Sequence, residues 1–311
     1  MDLFAVTGGA GFIGSHIVDR LLEEKKHVRV IDNFATGRPE NLREAERHIE
    51  FFKGDICDGK LLKEAFAEVE IVFHQAALAS VQRSVENPVA TNRTNVEGTV
   101  QVLEAARKCG VKRVVYASSS SVYGDKPTLP KREDMSPSPR SPYAISKLAA
   151  EQHCTIYPEI YGLETVVLRY FNVFGPRQNP KSQYAAVIPI FISALLSGEQ
   201  PVVFGDGEQS RDFTFVENVV EANLRAAVAP AASGGIYNVG CGERFSLNSL
   251  LEMLSNIMDV EVNPQYESER SGDVRHSEAD ITRASEELGY EPQVTFQDGL
   301  QQTVHWFQQN M

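Results

Sequence analysis

Short apolar runs alternate with stretches of helical periodicity over the first half of the chain. The run Leu3–Val6 is typical of a buried parallel strand, and Ile13, Ile17 and Leu21 then recur at helical spacing. The predicted strands are 2–6, 27–31, 49–53, 71–74, 112–117 and 164–169. The predicted helices are 12–24, 59–67, 89–108 and 142–160. This alternation predicts an α/β fold with a Rossmann-type, doubly wound parallel sheet that carries helices on both faces.

The alternation weakens after about residue 172. Turn-rich segments at Gly175-Pro176, Gly205–Gly207 and Ser233–Gly235 separate short elements there. We therefore predict a Rossmann domain over residues 1–171 and a smaller C-terminal substrate domain over 172–311. Some of the later segments are expected to return to the first domain.

Charge and composition narrow the classes of partner. The 311 residues carry a net charge of −12, which argues against nucleic acid or an anionic membrane as the main partner. The first predicted strand begins at residue 2 or 3, so no leader is expected, and no apolar run reaches membrane-spanning length. Four cysteines without CxxC spacing fit a reducing compartment. We predict a cytoplasmic protein without a membrane partner or a metal site.

Three glycines lie between the first predicted strand and its helix, at Gly8, Gly11 and Gly14. Glycine permits a tight turn there and lets the backbone approach a pyrophosphate. The free N–H groups at the start of the helix, around Phe12 and Ile13, are suited to bind phosphates. The spacing and its strand–turn–helix context predict a dinucleotide site.

A carboxylate follows the second predicted strand, at Asp32, 18 residues after Gly14. A carboxylate in this place accepts hydrogen bonds from both hydroxyls of an adenosine ribose. It also repels a 2′-phosphate, so the predicted cofactor is NAD and not NADP.

Tyr143 and Lys147 lie four residues apart on a predicted helix and therefore share one face. A lysine ammonium beside a tyrosine favours the phenolate, which makes the phenol a usable base. Ser119 comes at the carboxyl end of the fifth predicted strand, where open α/β sheets bind their ligands. The three residues predict proton transfer beside a bound dinucleotide.

These motifs resemble the extended short-chain dehydrogenase/reductase superfamily, and within it the nucleotide-sugar 4-epimerases. The likeness covers essentially the whole chain and is greatest to the UDP-N-acetylglucosamine 4-epimerases. Its specific stretches, besides the glycines, Ser119 and Tyr143–Lys147, are Asp32–Gly37, Gly54–Ile56, His74–Ala77, Asn95–Gly98, Arg169–Gly175, Ser210–Phe213 and Gly272–Ser277.

The resemblance implies roles for further residues around NAD. Asp55 and Ile56 would flank the adenine, and Ala76, Ala77 and Asn95 would line the path of the cofactor. Lys147 would also hold the nicotinamide ribose. The remaining cofactor residues implied in this way are Asn33, Gln75, Tyr143 and Tyr170.

The resemblance also implies a UDP-sugar site. Asn172, Arg211 and Arg270 would hold the UDP group, because guanidinium groups suit phosphate oxygens. Ser119, Ser120 and Tyr143 would contact the sugar. Ser277 stands where family members restricted to UDP-glucose carry a tyrosine, so it would leave room for an N-acetyl group. Ala79 stands where some members carry a lysine.

The implied activity is reversible, NAD-dependent 4-epimerisation of a UDP-hexose through a transient 4-keto sugar. UDP-GlcNAc and UDP-GalNAc are the favoured pair, with UDP-Glc and UDP-Gal as further substrates. A UDP-glucuronate 4-epimerase or decarboxylase stays an alternative. A 4,6-dehydratase is disfavoured because Ser119–Ser121 replaces the usual Thr-Asp-Glu, and a non-catalytic NAD sensor because Tyr143 and Lys147 are both present.

The resemblance finally implies a homodimer formed through two helices of each subunit. In this chain they would be the segments near 92–108 and 142–160. Their apolar positions suit an interface or an internal core equally well. These positions include Val96, Val100, Leu103, Leu148 and Ala149.

Overall fold

A computed structural model describes residues 2–180, 186–269 and 274–311. The strands are β1 (Leu3–Thr7), β2 (His27–Asp32), β3 (Ile49–Lys53), β4 (Ile71–His74), β5 (Arg113–Ser119), β6 (Glu164–Tyr170), β7 (Val173–Phe174), β8 (Val202–Phe204), β9 (Ser210–Arg211), β10 (Thr214–Phe215), β11 (Ile236–Val239), β12 (Phe245–Ser246) and β13 (Gln265–Glu267). The helices are α1 (Phe12–Glu23), α2 (Gly59–Ala65), α3 (Val81–Glu86), α4 (Pro88–Asn92), α5 (Gly98–Cys109), α6 (Pro142–Tyr161), α7 (Val187–Leu196), α8 (Val216–Val228), α9 (Leu247–Met258), α10 (Thr282–Leu288) and α11 (Phe296–Asn310).

Seven parallel strands form the central sheet in the order β11-β6-β5-β4-β1-β2-β3. The chain winds outward from β1 in one direction to β3 and in the other from β4 to β11. Strand order therefore reverses between β1 and β4, and the carboxyl ends of these strands open a crevice. The predicted doubly wound sheet is confirmed.

Both faces of the sheet are buried under helices. On one face, α1, α8 and α10 contribute residues such as Ile17, Val219 and Ala284 to the core. On the other face, α2, α5 and α6 contribute residues such as Leu62 and Ala150. The inner strands β1, β4, β5 and β6 are therefore mainly apolar on both sides, whereas the edge strand β3 is partly exposed.

A third core lies outside the sheet, among α7, α9, α11 and the short strands. Phe174, Phe213 and Phe296 pack ring against ring within it. The elements α8, β11 and α10 come from the second half of the chain but pack with the central sheet. The domain division at 171/172 stays a prediction.

The segment predicted as one helix over 89–108 differs from that expectation. It consists of α4, a π-helical turn over Arg93–Glu97, and then α5. The wider turn carries Asn95, whose side chain bonds the backbone of a neighbouring loop. Leu103 is fully buried and belongs to the core below α5. No helix in the described ranges is long and apolar enough to cross a membrane.

Candidate active site

The loop between β1 and α1 requires glycine at two positions. Gly8 has φ +69°, and a Cβ there would lie 2.7 Å from the backbone of Ala76. A Cβ on Gly14 would lie 2.2 Å from the carbonyl oxygen of Gly8. The loop can therefore press against the end of β4 and against its own helix only without side chains.

The start of α1 forms a cradle for an anion. The first N–H groups of α1, near Phe12 and Ile13, have no helical acceptor. The N-cap residue Gly11 has no side chain that could bond them instead. Apart from its neighbours in the chain, a Cβ built on Gly11 would approach the Gly8 carbonyl oxygen, at 3.0 Å, and no other described atom within 4 Å. This open space beside unpaired N–H groups fits a pyrophosphate.

Asp32, the last residue of β2, holds the glycine loop in place. Its carboxylate accepts hydrogen bonds from the backbone N–H groups of Ala10 at 3.0 Å and Phe34 at 2.7 Å. Burial raises the pKa of this carboxyl, and the backbone N–H groups oppose that shift. The carboxylate has acceptor capacity left for two ribose hydroxyls, since each oxygen takes two hydrogen bonds.

The residues expected around the adenine separate into two environments. Asn33 donates to the exposed Asp55 carboxylate at 3.3 Å, which brings the ends of β2 and β3 together. The Asp55 carboxylate also accepts from the N–H of Cys57 at 2.8 Å. Ile56 instead packs into the core below the sheet, where it approaches Gly98. Its side chain thus borders the region expected to hold the adenine from the side of the core.

Gln75 and Tyr170 bond to each other across the switch point of the sheet. The Gln75 amide donates to the Tyr170 hydroxyl at 3.1 Å and to the Asn223 carbonyl oxygen at 3.0 Å. Asn223 comes from α8 and was not singled out from the sequence. The three side chains join β4, β6 and α8, and the partly buried Ala76 and Ala77 follow directly.

A buried hydrogen-bond chain runs through His74, at the end of β4. Its Nδ1 lies 2.7 Å from the Thr7 hydroxyl, and its Nε2 lies 2.9 Å from the Thr99 hydroxyl. The Thr99 hydroxyl also bonds the Asn95 carbonyl at 2.7 Å. Burial and the nearby Lys147 cation lower the pKa of His74 to about 3, so the imidazole is neutral. Sequence reasoning gave His74 no role of its own.

Asn95 connects this chain to α6. Its side chain accepts from the Leu78 N–H at 2.8 Å and donates to the Leu78 carbonyl at 3.2 Å. It also donates to the Ser146 hydroxyl at 2.9 Å. Asn95 therefore anchors the loop after β4 against the helix that carries Tyr143 and Lys147.

Ser119 and Tyr143 meet at the carboxyl end of β5. Ser119 ends this strand, and its hydroxyl accepts from the N–H of Ser121 at 3.2 Å. Burial raises the pKa of the Tyr143 phenol, and a hydrogen bond with Ser119 acts in the opposite direction. Ser120, the next residue, is partly buried. The role of Ser119 as the partner of Tyr143 stays a prediction.

Lys147 is buried one turn after Tyr143. Its ammonium donates to the Ala117 carbonyl at 2.7 Å and lies 5.1 Å from the centre of the Tyr116 ring. Burial lowers the pKa of Lys147 to about 8. The amine is thus mostly charged at neutral pH, but its pKa lies only about one unit above that pH.

A buried ion pair fixes the helix α6 against the strands. The Arg169 guanidinium in β6 donates to the Glu151 carboxylate in α6, and the Ser118 hydroxyl donates to the same carboxylate at 2.9 Å. Both charged side chains are almost fully buried. Together with Ser118, the pair joins β5, β6 and α6, the elements that carry Ser119 and Tyr143.

A cavity of about 260 Å³ adjoins the carboxyl end of β6. Its wall is mainly apolar and aromatic, with three polar side chains. The lining residues are Asn172, Val173, Phe174, Ala186, Val187, Ile188, Phe191, Val202, Phe204, Gln209, Arg211, Phe213 and Leu247. An apolar wall with a few polar groups is typical of a site for a small organic ligand.

Asn172, which lines this cavity, contacts Ser277. The Asn172 amide donates to the Ser277 hydroxyl at 3.0 Å and to the Asp212 carbonyl at 3.2 Å. Arg211 donates to the carbonyl oxygens of Ser210 and Arg275. Three of the four residues expected to hold the substrate's UDP group or set its sugar preference are thus close together. The fourth, Arg270, lies outside the described residues.

Asp212 supports this arrangement and was not assigned a role from the sequence. Its buried carboxylate accepts from the N–H groups of Cys241, Gly242 and Ala279, at 2.8 to 3.1 Å. Burial raises its pKa to about 6. Its backbone also bonds Ser277, so Asp212 holds the segment that presents this serine. Its position directly after Arg211 was the only signal in the sequence.

Comparison with known proteins gives the family. The profile of the NAD dependent epimerase/dehydratase family matches residues 4–240. The chain belongs to this family. A UDP-glucose 4-epimerase of Mycolicibacterium smegmatis is 44% identical over 307 residues, which cover 97% of each chain.

Two solved structures of the epimerase/dehydratase family are similar along their whole length. One is a UDP-N-acetylglucosamine 4-epimerase of Methanobrevibacter ruminantium in complex with UDP-N-acetylmuramic acid. It is 42% identical with a TM-score of 0.95, and the match covers 100% of this chain and 99% of that one. The other is a UDP-glucuronic acid 4-epimerase of Bacillus cereus in complex with UDP-glucuronic acid and NAD. It is 32% identical with a TM-score of 0.91, and the match covers 99% of this chain and 100% of that one. The predictions of an extended short-chain dehydrogenase/reductase epimerase and of NAD as its cofactor are confirmed.

Proposed function

We propose that this epimerase interconverts UDP-GlcNAc with UDP-GalNAc and also accepts UDP-Glc and UDP-Gal. The observation that carries the proposal is the small, buried Ser277, which bonds Asn172, a residue of the cavity wall. A serine there leaves room for the acetamido group at C2, which a tyrosine would occupy. The named activities of the relatives from Mycolicibacterium and Methanobrevibacter support the same two sugar classes.

NAD, when bound, takes the hydride from C4 of the sugar and later returns it to the opposite face. The glycine cradle and the N-terminus of α1 would hold its pyrophosphate, and Asp32 its adenosine ribose. Asn33, Asp55 and Ile56 would surround the adenine. Gln75, Ala76, Ala77, Asn95 and Tyr170 would line the rest of its path, and Lys147 would bond the second ribose.

Tyr143 is proposed to remove the proton of the 4-hydroxyl, with Ser119 bonding the reacting oxygen. The buried Lys147 ammonium favours the Tyr143 phenolate by its charge. When the keto sugar is reduced again, Tyr143 returns the proton to the oxygen at C4, so no net redox change occurs. Ser120 would contact the sugar beside Ser119.

The UDP group is proposed to bind in the cavity through Asn172, Arg211 and Arg270. Firm binding there keeps the 4-keto intermediate on the enzyme while the hexose turns. This places the binding energy away from the reacting carbon. The proposed division into an NAD domain over 1–171 and a UDP-sugar domain over 172–311 follows the same separation of roles.

A homodimer is proposed to form through α6, as expected from the sequence, and through the exposed side of α3 and α4, which replace the segment 92–108 in this proposal. Val85, Val89, Ile145 and Ile160 are exposed by 55% to 78% on these neighbouring helices. Apolar side chains grouped in this way are typical of an interaction surface. We call these four residues the α6 patch. The location of the protein in the cytoplasm stays a prediction.

A product assay tests the proposed reaction. The purified protein is incubated with UDP-GlcNAc, UDP-Glc or UDP-GlcA without a reductant, and the products are separated by chromatography. We expect UDP-GalNAc and UDP-Gal to appear, and the Tyr143→Phe variant to form neither at a comparable rate. Conversion of UDP-GlcA alone would favour the glucuronate alternative. A 6-deoxy-4-keto product would indicate a dehydratase, and no product at all a non-catalytic NAD sensor.

A further inference from the structure

Tyr116, three residues before Ser119, lies against the buried ammonium of Lys147. The Nζ of Lys147 is 5.1 Å from the centre of the Tyr116 ring, and Tyr116 is 1% exposed. The face of an aromatic ring attracts a cation, and more strongly where water is excluded. The ring is therefore placed to stabilise a charge that burial disfavours.

The Lys147 ammonium has three donors, and the structure gives it two partners. One N–H bonds the Ala117 carbonyl at 2.7 Å, and the ring of Tyr116 faces the ammonium as the second partner. Ala117 and Tyr116 are adjacent in β5. Together they define the position of the ammonium relative to the strand that ends at Ser119.

Few other charges are near enough to compensate the ammonium. His74, from β4, is neutral, and its ring centre lies 5.6 Å from that of Tyr116. On α6, the Glu151 carboxylate is already paired with Arg169, while Tyr143 and the Cys154 thiol are neutral groups whose pKa values burial raises. Beside the Ala117 carbonyl, the face of the Tyr116 ring therefore adds negative potential at the lysine.

The hydroxyl of Tyr116 contributes little to this role. It is buried beside Thr99 and makes no hydrogen bond of good geometry within the described ranges. The aromatic ring, and not the hydroxyl, is the part of the side chain that meets Lys147. This separation allows the two parts to be tested independently.

We propose that Tyr116 is a positioning residue whose aromatic ring holds the Lys147 ammonium charged and in place beside Tyr143. The proposal rests on the proposed role of Tyr143 and Lys147 in the reaction. It predicts that the ring sets the pH range in which the pair works. Without the ring, Lys147 loses its proton at lower pH and Tyr143 ionises at higher pH.

The test compares Tyr116→Phe, which keeps the ring, with Tyr116→Leu, which removes it. Turnover of UDP-Glc or UDP-GlcNAc is measured across pH for both variants and for the unmodified protein. We expect Tyr116→Leu to move the alkaline limb of kcat to lower pH by about 0.5 to 1.5 units, the range that corresponds to a cation–π contact. Tyr116→Phe should keep the limb within about 0.3 units of the unmodified protein.

A second readout does not depend on turnover. Absorbance titration of tyrosinate, with the Tyr143→Phe form of each protein subtracted, reports the ionisation of Tyr143 alone. We expect this ionisation to move to higher pH in Tyr116→Leu and to stay in place in Tyr116→Phe. Circular dichroism and thermal melts establish that both variants fold.

Several results would overturn the proposal. If Tyr116→Leu lowers thermal stability but leaves both the limb and the Tyr143 titration unchanged, Tyr116 only fills the core. If Tyr116→Phe shifts both as strongly as Tyr116→Leu, the hydroxyl and not the ring is responsible. If the unmodified protein turns over no UDP-sugar, the proposed function fails, whereas the Tyr143 titration still decides the role of Tyr116.

Discussion

The side-chain amide of Asn172 donates a hydrogen bond to the hydroxyl of Ser277, 3.0 Å away, although 105 positions separate the two residues in the chain. Asn172 follows β6 at the carboxyl edge of the central sheet, and Ser277 is held by the backbone of Ser210 and Asp212. The contact therefore joins the main sheet to the segment around the cavity. A larger residue at 277 changes both this contact and the space beside it.

The first prediction concerns sugar preference. Ser277→Tyr adds a ring where the acetamido group of UDP-GlcNAc would lie, and overpacking of this kind costs about 1–3 kcal/mol. We expect kcat/KM for UDP-GlcNAc to fall about 5- to 150-fold more than kcat/KM for UDP-Glc. Steady-state kinetics with both substrates measures the ratio.

Ser277→Ala is the matched control for this ratio. It removes the hydroxyl that Asn172 contacts but fills no space, so it should affect both sugars alike. Equal losses for both sugars in Ser277→Tyr would show that residue 277 does not select the sugar.

The second prediction concerns the base. Tyr143→Phe removes the phenol but keeps the ring, so the fold and bound NAD should be retained. We expect kcat to fall by at least ~10²-fold, the usual contribution of a positioned proton-transfer group. Turnover is measured together with the NAD content of the purified variant. Activity close to that of the unmodified protein would remove Tyr143 from the mechanism.

The third prediction concerns the cofactor. The Asp32 carboxylate repels a 2′-phosphate, and a like-charge contact costs several kcal/mol, so NADP should bind at least ~10-fold more weakly than NAD. Asp32→Asn removes the charge while keeping a similar shape, and it should narrow the difference between the two dinucleotides. Calorimetric titration of protein stripped of cofactor measures both affinities. Equal affinities in the unmodified protein would place Asp32 away from the ribose.

The fourth prediction concerns stability in acid. The pKa of His74 is lowered to about 3, below the ordinary value of 6.5, so between these values only the unfolded chain takes up the proton. This stabilising contribution is complete above pH 6.5 and is lost as the pH falls towards 3. Each pH unit costs up to about 1.4 kcal/mol. The free energy of unfolding, from urea titrations at several pH values, should therefore fall less steeply with acid in His74→Gln.

The exposed His48 offers the control for this slope. His48→Gln makes the same substitution at an exposed position, and its unfolding free energy is measured over the same pH range. If His74→Gln has the same slope as His48→Gln, His74 titrates in the folded protein as it does in the unfolded chain.

The fifth prediction concerns assembly. Ile145→Glu places a charge in the α6 patch, where a partner subunit would bury it, and should shift the protein from dimer to monomer. Val228→Glu is the control, because Val228 is 71% exposed at the end of α8, which packs on the opposite face of the sheet. Sedimentation velocity measures both variants. A monomeric unmodified protein, or a dimeric Ile145→Glu variant, would contradict an interface through this patch.

Local pattern was enough to predict the first six strands and most of their helices. Buried parallel strands are apolar throughout, and the helices between them repeat every three to four residues, so both leave a signal within a few residues of sequence. The helix over 89–108 was predicted as continuous because its periodicity hardly changes. The π-helical turn at Arg93–Glu97 comes with a contact of Asn95 to Leu78, which no local pattern shows.

The glycine loop before α1 and the helix that carries Tyr143 and Lys147 could both be predicted from sequence alone. Gly8, Gly11 and Gly14 are close in the chain, and the four-residue spacing of Tyr143 and Lys147 fixes a shared helix face. Ser119 reaches the same place because parallel strands end at one edge of the sheet.

Tertiary packing brings together the distant segments around these residues. It placed β11 beside β6, Ser277 against Asn172, Asn223 against Tyr170, and Tyr116 beneath Lys147. It also showed His74 between Thr7 and Thr99 as a neutral, buried link. These contacts depend on how whole helices and strands pack. A buried polar residue needs a hydrogen-bond partner, but the local sequence does not show which distant residue provides it.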